Sequence, residues 1–148
     1  MTTEGVKRLP ASPDEIAKLL VRYRRHLRDA GIPNRDADSR YCSYFDAGLA
    51  LTKIAARAHA LRVTSSNMNH FVQIQLAKSI LGKDAAPPLS LLENARTKRN
   101  HATYDEAGTI SEAEVDELER TVVRLERLVC EWLARHHPDL LPPELPLG

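Results

Sequence analysis

At 148 residues, 43% of them apolar and 28% charged, the chain has the size and make-up of one globular domain that can bury a core without disulfide or metal staples. Its 21 basic and 20 acidic residues leave a formal charge of +1, so no global field attracts nucleic acid and any such binding must rest on a local patch. No stretch reaches the roughly 18 apolar residues of a membrane span, and MTTEGVKRLP lacks the apolar segment of a signal peptide, so an intracellular, cytoplasmic protein with no membrane partner is expected.

Glycine is scarce, and proline gathers near the N-terminus, at one internal break and in the C-terminal tail. That distribution favours long uninterrupted helices. Residues 1–11 are expected to be flexible. A first helix is announced by Ser12 and Glu15 as a capping box, by Pro13 at the first helical position and by Gly31 as the stop. Ile16, Leu19, Leu20, Tyr23 and Leu27 recur along it at helical spacing. A second helix is expected from Asp38 or Ser39 to about Leu61. Its small residues, among them Ala47, Gly48, Ala55 and Ala56, permit close approach of a neighbour.

A third helix fits SNMNHFVQIQLAKSILG and stops at Gly82. KDAAPP then reads as a break that no helix crosses. The fourth helix is expected to start near Ser90, with Ser90 and Glu93 as a second box, and to fade before Gly108. The fifth starts at a third box, Ser111 and Glu114. Along it Val115, Leu118, Val122, Leu125, Val129 and Trp132 form a seam that can pack inside the bundle or against a second subunit. The Pro- and Leu-rich residues 138–148 form a tail that either lies across the bundle or docks on a partner. No strand pattern, internal repeat or Gly-rich phosphate loop is present. The fold class is therefore all-α, a bundle of about five helices spanning residues 12–137.

Cys42 and Cys130 have no framework or metal-ligand spacing and are read as reduced thiols within helices. Adjacent His136 and His137 project in different directions and make no metal pair. No cofactor and no metal site is expected. The basic run RYRRHLRDAG spreads its charges round the first helix as a solvated face; joined to other basic groups, it would extend a path for an RNA backbone.

ENARTKRNHATYDEAG, residues 93–108, is the exception to simple packing. On an ideal helix Leu92, Ala95 and Ala102 share one face, and Arg99 falls near its middle. Arg96, Asn100 and Tyr104 occupy the adjoining side, with His101 beyond them; Lys98 and Asp105 lie near Leu91. An arginine pointing among apolar side chains needs a partner. One reading supplies a carboxylate from another helix, such as Asp46, for structure alone. The other makes Arg96, Lys98 and Arg99 a phosphate-binding group, because guanidinium forks one turn apart can grip a phosphate. RNA suits that second reading. Its own 2′-hydroxyl is the nucleophile, so the protein need only position the attack, stabilise charge and move protons.

The run Arg96, Arg99, Asn100, Tyr104, Asp105 resembles the HEPN domain superfamily (higher eukaryotes and prokaryotes nucleotide-binding), in particular small prokaryotic members with an R-x-x-R-N-x-x-x-Y-D run. YFDAGLALTKIAARAHALRV looks like that family's Ala-rich long helix, and NHFVQIQLAKSILG, with His70 near its start, like the short helix that follows. The match covers about residues 38–136. The resemblance implies a helical bundle that forms a homodimer with the motif near the two-fold axis. It implies metal-independent endoribonuclease activity of toxin or defence type in many members, with RNA, an antitoxin or another protein as partner. Other members are inert dimerisation, adaptor or nucleotide-binding modules. Arg99, Asn100, Tyr104 and His101 are the catalytic candidates on this resemblance. The family's histidine normally follows the arginine by several residues; here those slots hold Tyr104, Asp105 and Glu106. Arg96 with His101 is the other frame, with side chains about 140° apart on an ideal helix.

Overall fold

A computed structural model describes residues 5–64, 69–104 and 109–142, with the side chains of Asn69 and of residues 101–104 outside the description. In chain order it shows β1 (Val6–Arg8), α1 (Pro13–Ala30), α2 (Ala37–Ala58), β2 (Leu61–Val63), α3 (Asn69–Leu81), α4 (Ala86–Tyr104) and α5 (Glu112–His136). Among the described residues the fold is a bundle of five helices carrying one small two-stranded ribbon. No helix among the described residues is long and apolar enough to cross a membrane.

Helix α2 is the axle. None of its residues is fully exposed, and it packs against α1, α3, α4 and α5. Gly48 shows why small residues line it. A Cβ at that position would stand 2.8 Å from Leu92 Cδ1 on α4 and 3.3 Å from Val122 Cγ2 on α5. The α5 seam faces inward, with Val115, Leu118, Val122, Leu125, Val129 and Trp132 all buried within the chain. Cys42 and Cys130 form no disulfide among the described residues; burial pushes the Cys130 thiol up to about 11, which leaves it protonated and unreactive.

Most helix ends follow the expected signals. Ser12 accepts the Glu15 amide and Gly31 closes α1. At α5 the box is complete, with Ser111 Oγ accepting the Glu114 amide and Glu114 Oε1 accepting the Ser111 amide. Such a cap stabilises by about 1 kcal/mol. At α1 the reciprocal half is missing, because the Glu15 carboxylate is taken by Arg57.

Three expectations are corrected. The sequence predicts no strand, yet Val6–Arg8 forms β1, which pairs antiparallel with β2 in the register Val6 to Val63, Lys7 to Arg62 and Arg8 to Leu61. The second helix accordingly ends at Ala58, and Leu61 belongs to a strand. Helix α4 begins at Ala86 with Pro87 and Pro88 in its first turn, so Ser90 is an interior residue and not a cap. A helix tolerates proline there because the first amides have no intrahelical acceptor. The break is instead made by Gly82, at φ +83°, and a 3₁₀ turn at Lys83–Ala85. After α5, a 3₁₀ turn at Pro138–Leu140 folds back and buries Leu140 against the core; the tail lies across the bundle at least this far.

Candidate functional site

The α4 motif packs where the middle of α2 meets the start of α3. Leu92 and Ala95 are buried, and Arg99 emerges from the same face with 23% of its side chain exposed. Its guanidinium lies 5.8 Å from the centroid of the Phe45 ring, and Nη2 stands 3.6 Å from Asp46 Oδ1. Phe45 and Asp46 are neighbours on α2, so one helix supplies both an aromatic floor and a counter-charge. Arg99 Nε is buried and has no hydrogen-bond acceptor among the described residues. A distance of 3.6 Å is too long for a good hydrogen bond, so the guanidinium is attracted to Asp46 but not saturated by it.

One turn earlier, Arg96 reaches Glu93 Oε1 through Nε and Nη2, both at 3.2 Å, and lies 5.9 Å from the Phe71 ring centroid. The second oxygen of that carboxylate, Glu93 Oε2, is buried without a donor among the described residues. The two arginines thus rest on two phenylalanines, one from α2 and one from α3. Arginine stacks on such faces while keeping its in-plane donors for an anion.

His70 completes the group. Its ring stands 5.7 Å from that of Phe45, and it is half-buried at the start of α3. Burial first, then the positive charges of Arg99 and Arg96, hold its pKa below the ordinary histidine value, with Asp46 acting in the opposite sense. A neutral imidazole beside two guanidinium groups is a competent proton acceptor near pH 7. The sequence pointed to His70 only as a mark of the short helix. Its place next to Arg99 depends on the α3–α4 packing, which no local pattern encodes.

The remaining candidates separate. Lys98 is drawn away to Glu114 at the start of α5, whose carboxyl is held below its usual range first by that lysine and then by the Ser111 amide. One residue is about 100° of rotation, which turns Lys98 away from Arg99. Asn100 is exposed. His101 and Tyr104 lie on α4, but their side chains fall outside the described residues, as does Asp105 altogether.

Two shallow clefts adjoin the cluster. One, of about 180 Å³, is lined by Arg22, His26, Asp46, Lys53 and Gln73; the next, of about 360 Å³, by Lys53, Arg57, Arg62 and Gln73 with Glu15. A cavity of about 470 Å³ sits near the other end of α2, where Trp132 packs between His59 and His137. No grouping of His, Cys, Asp and Glu among the described residues is arranged to hold a metal ion. Compared with protein-family models, curated proteins and solved structures, the chain matches none.

Proposed function

We propose that the chain binds single-stranded RNA through Arg96 and Arg99 and cleaves it without a metal ion. The observation that carries this reading is the Arg99 guanidinium: largely buried, backed by Phe45, paired at only 3.6 Å with Asp46, and holding an unfilled donor at Nε among the described residues. A buried charge left incompletely satisfied is costly, and an arriving phosphate removes that cost.

In the proposed reaction Arg99 and Arg96 hold the scissile phosphate. Neutral His70 takes the proton of the ribose 2′-hydroxyl. The O2′–P bond forms as the P–O5′ bond breaks, giving a 2′,3′-cyclic phosphate. The leaving 5′-oxygen receives a proton from Tyr104 or His101, the two candidates on the C-terminal turns of α4. Negative charge that develops on phosphate is met by the guanidinium pair, the kind of fixed donor array that lowers a barrier most. Glu93 Oε2, without a donor among the described residues, suits a ribose hydroxyl or a base amino group. As the family resemblance implies, two copies meet with these motifs near a shared axis.

A second reading has its own support. The Arg99–Asp46 and Arg96–Glu93 pairs give each arginine a carboxylate within the chain, as expected of an inert dimerisation or adaptor module. Incubation of labelled single-stranded RNA with the protein in EDTA separates the two. Cleavage that persists in chelator, ends in a cyclic phosphate and disappears in Arg99→Ala and His70→Gln supports the nuclease. Intact RNA and no measurable binding by the wild type leave the inert module. Light scattering that finds only monomer at working concentration removes the shared-axis version.

A further inference from the structure

The two clefts beside the cluster share Lys53 and Gln73, and Asp46, which pairs with Arg99, lines the first of them. They therefore adjoin at Lys53 and Gln73 and together make a groove. Lys53 follows Asp46 by two helical turns on α2, about 10 Å along the axis, on the same face. Into the groove come Arg22 and His26 from α1, Lys53 from α2 and Arg62 from β2.

The charges there do not balance. Of the two lining carboxylates, Glu15 is engaged by Arg57 at 2.5 and 3.0 Å, and Asp46 faces Arg99. Arg22, Lys53 and Arg62 form no ion pair among the described residues. The Lys53 ammonium is held below its ordinary value, first by burial and then by Arg22 and Arg62, with Glu15 only partly opposing them. Cations gathered at a concave surface without matching anions constitute a focused positive potential. The strand register contributes by fixing Arg62 on the ribbon, opposite Lys7, at the lip of the groove.

We propose that Arg22, Lys53 and Arg62 form a second phosphate-binding site, and that it carries the backbone of the same RNA strand held at Arg99. This extension rests on the RNA reading above. The groove offers cations and the amide of Gln73 but no Phe, Tyr or Trp side chain, so it is suited to tracking backbone phosphates rather than to stacking successive bases. It would position the strand so that the phosphate at Arg99 is an internal one.

Fluorescence anisotropy with a labelled oligouridylate of about 12 nucleotides, a length able to span both sites, tests it. In the Lys53→Gln/Arg62→Gln double variant, affinity at low salt should fall at least about tenfold, and the slope of log affinity against log salt should shrink by about 1.4, since each lost phosphate contact on a single strand removes about 0.7. Lys53→Arg/Arg62→Lys should restore most of both, and thermal melts should show each variant folded. If the double variant binds like wild type while Arg99→Ala binds weakly, the groove is a bystander and the Arg99 reading stands. If the double variant loses binding while Arg99→Ala does not, the groove stands as the RNA site and Arg99 leaves the RNA path. Retention on phosphatidylglycerol vesicles with no binding of the oligouridylate overturns RNA as the occupant. Failure of wild type to bind either probe overturns both readings.

Discussion

Arg57 and Arg99 both project from apolar helix faces, and the contrast between them separates scaffold from site. Arg57 is 3% exposed, and its guanidinium is filled: Nε and Nη2 donate to the two Glu15 oxygens, and further bonds reach the carbonyls of Leu9, Pro10 and Leu61. It ties α1, α2, β2 and the segment just after β1 into one knot. Arg99 is 23% exposed, faces one carboxylate at 3.6 Å and keeps a buried donor unfilled among the described residues. A buried charge with every donor used is a clamp; one with a donor spare is poised for an anion from outside.

Arg57→Ala should give the largest effect. It strands the partly exposed Glu15 carboxylate and three backbone carbonyls, and a loss of about 3 kcal/mol is expected in urea melts, near the lower end for broken buried pairs. If the loss is below 1 kcal/mol, on the order of a surface pair, the clamp idea fails. Gly48→Val comes next. It drives a branched side chain against Leu92 and Val122 and should cost about 1–3 kcal/mol by overpacking, while displacing α4 and weakening RNA binding. Arg99→Ala should change stability by less than about 1 kcal/mol, because only a loose, part-exposed pair is lost. A double-mutant cycle over Arg99 and Asp46 should likewise give a coupling below that over Arg57 and Glu15. Equal coupling energies would make both arginines scaffold.

The smallest effect is a pH dependence. His70 has a folded pKa below its unfolded value near 6.5, so between those values the unfolded chain binds more protons and stability rises with pH. Acidification from about pH 6.5 downward, toward the folded value, should therefore erode stability, and His70→Gln should flatten that part of the curve. His137, lowered by burial and then by His59, contributes with the same sign, so the comparison belongs in a His137→Gln background. A curve of unchanged slope would show that His70 is not desolvated beside Arg99.

What could be read in the sequence follows from range. Ser12, Ser111, Gly31 and Gly82 act within a few residues of themselves, so the helix ends they set were legible. The inward α5 seam was legible as period, though the choice between self and partner needed the fold. The ribbon was not, because strands of three residues have no alternation to detect. Pro87 and Pro88 misplaced the start of α4, since proline ends a helix when interior but begins one when first. Arg57 was hidden in an Ala-rich run, and all its acceptors but Leu61 lie more than forty residues earlier, at Leu9, Pro10 and Glu15. Arg99 was visible as a charge on an apolar face, and Asp46 as an available carboxylate. His70 could not be joined to them without knowing how α3 and α4 cross.

The corner at Gly82 carries a consequence for adjustability. Helices α3 and α4 leave it side by side, and His70 and Arg99 sit at their far tips, twelve residues before it and seventeen after. At 1.5 Å of rise per residue, His70 rides on a lever arm of about 18 Å, so a swivel of about 5° at the corner moves the tip by about 1.6 Å. Displacements of that size are enough to make or spoil an in-line approach. Nothing lies within 4 Å of a Cβ built at Gly82, but its φ of +83° strains any residue that carries a Cβ, so a substitution there would act by shifting the backbone of the corner. Evolution or a protein engineer could thus retune the imidazole-to-guanidinium gap from a spot that never touches the ligand.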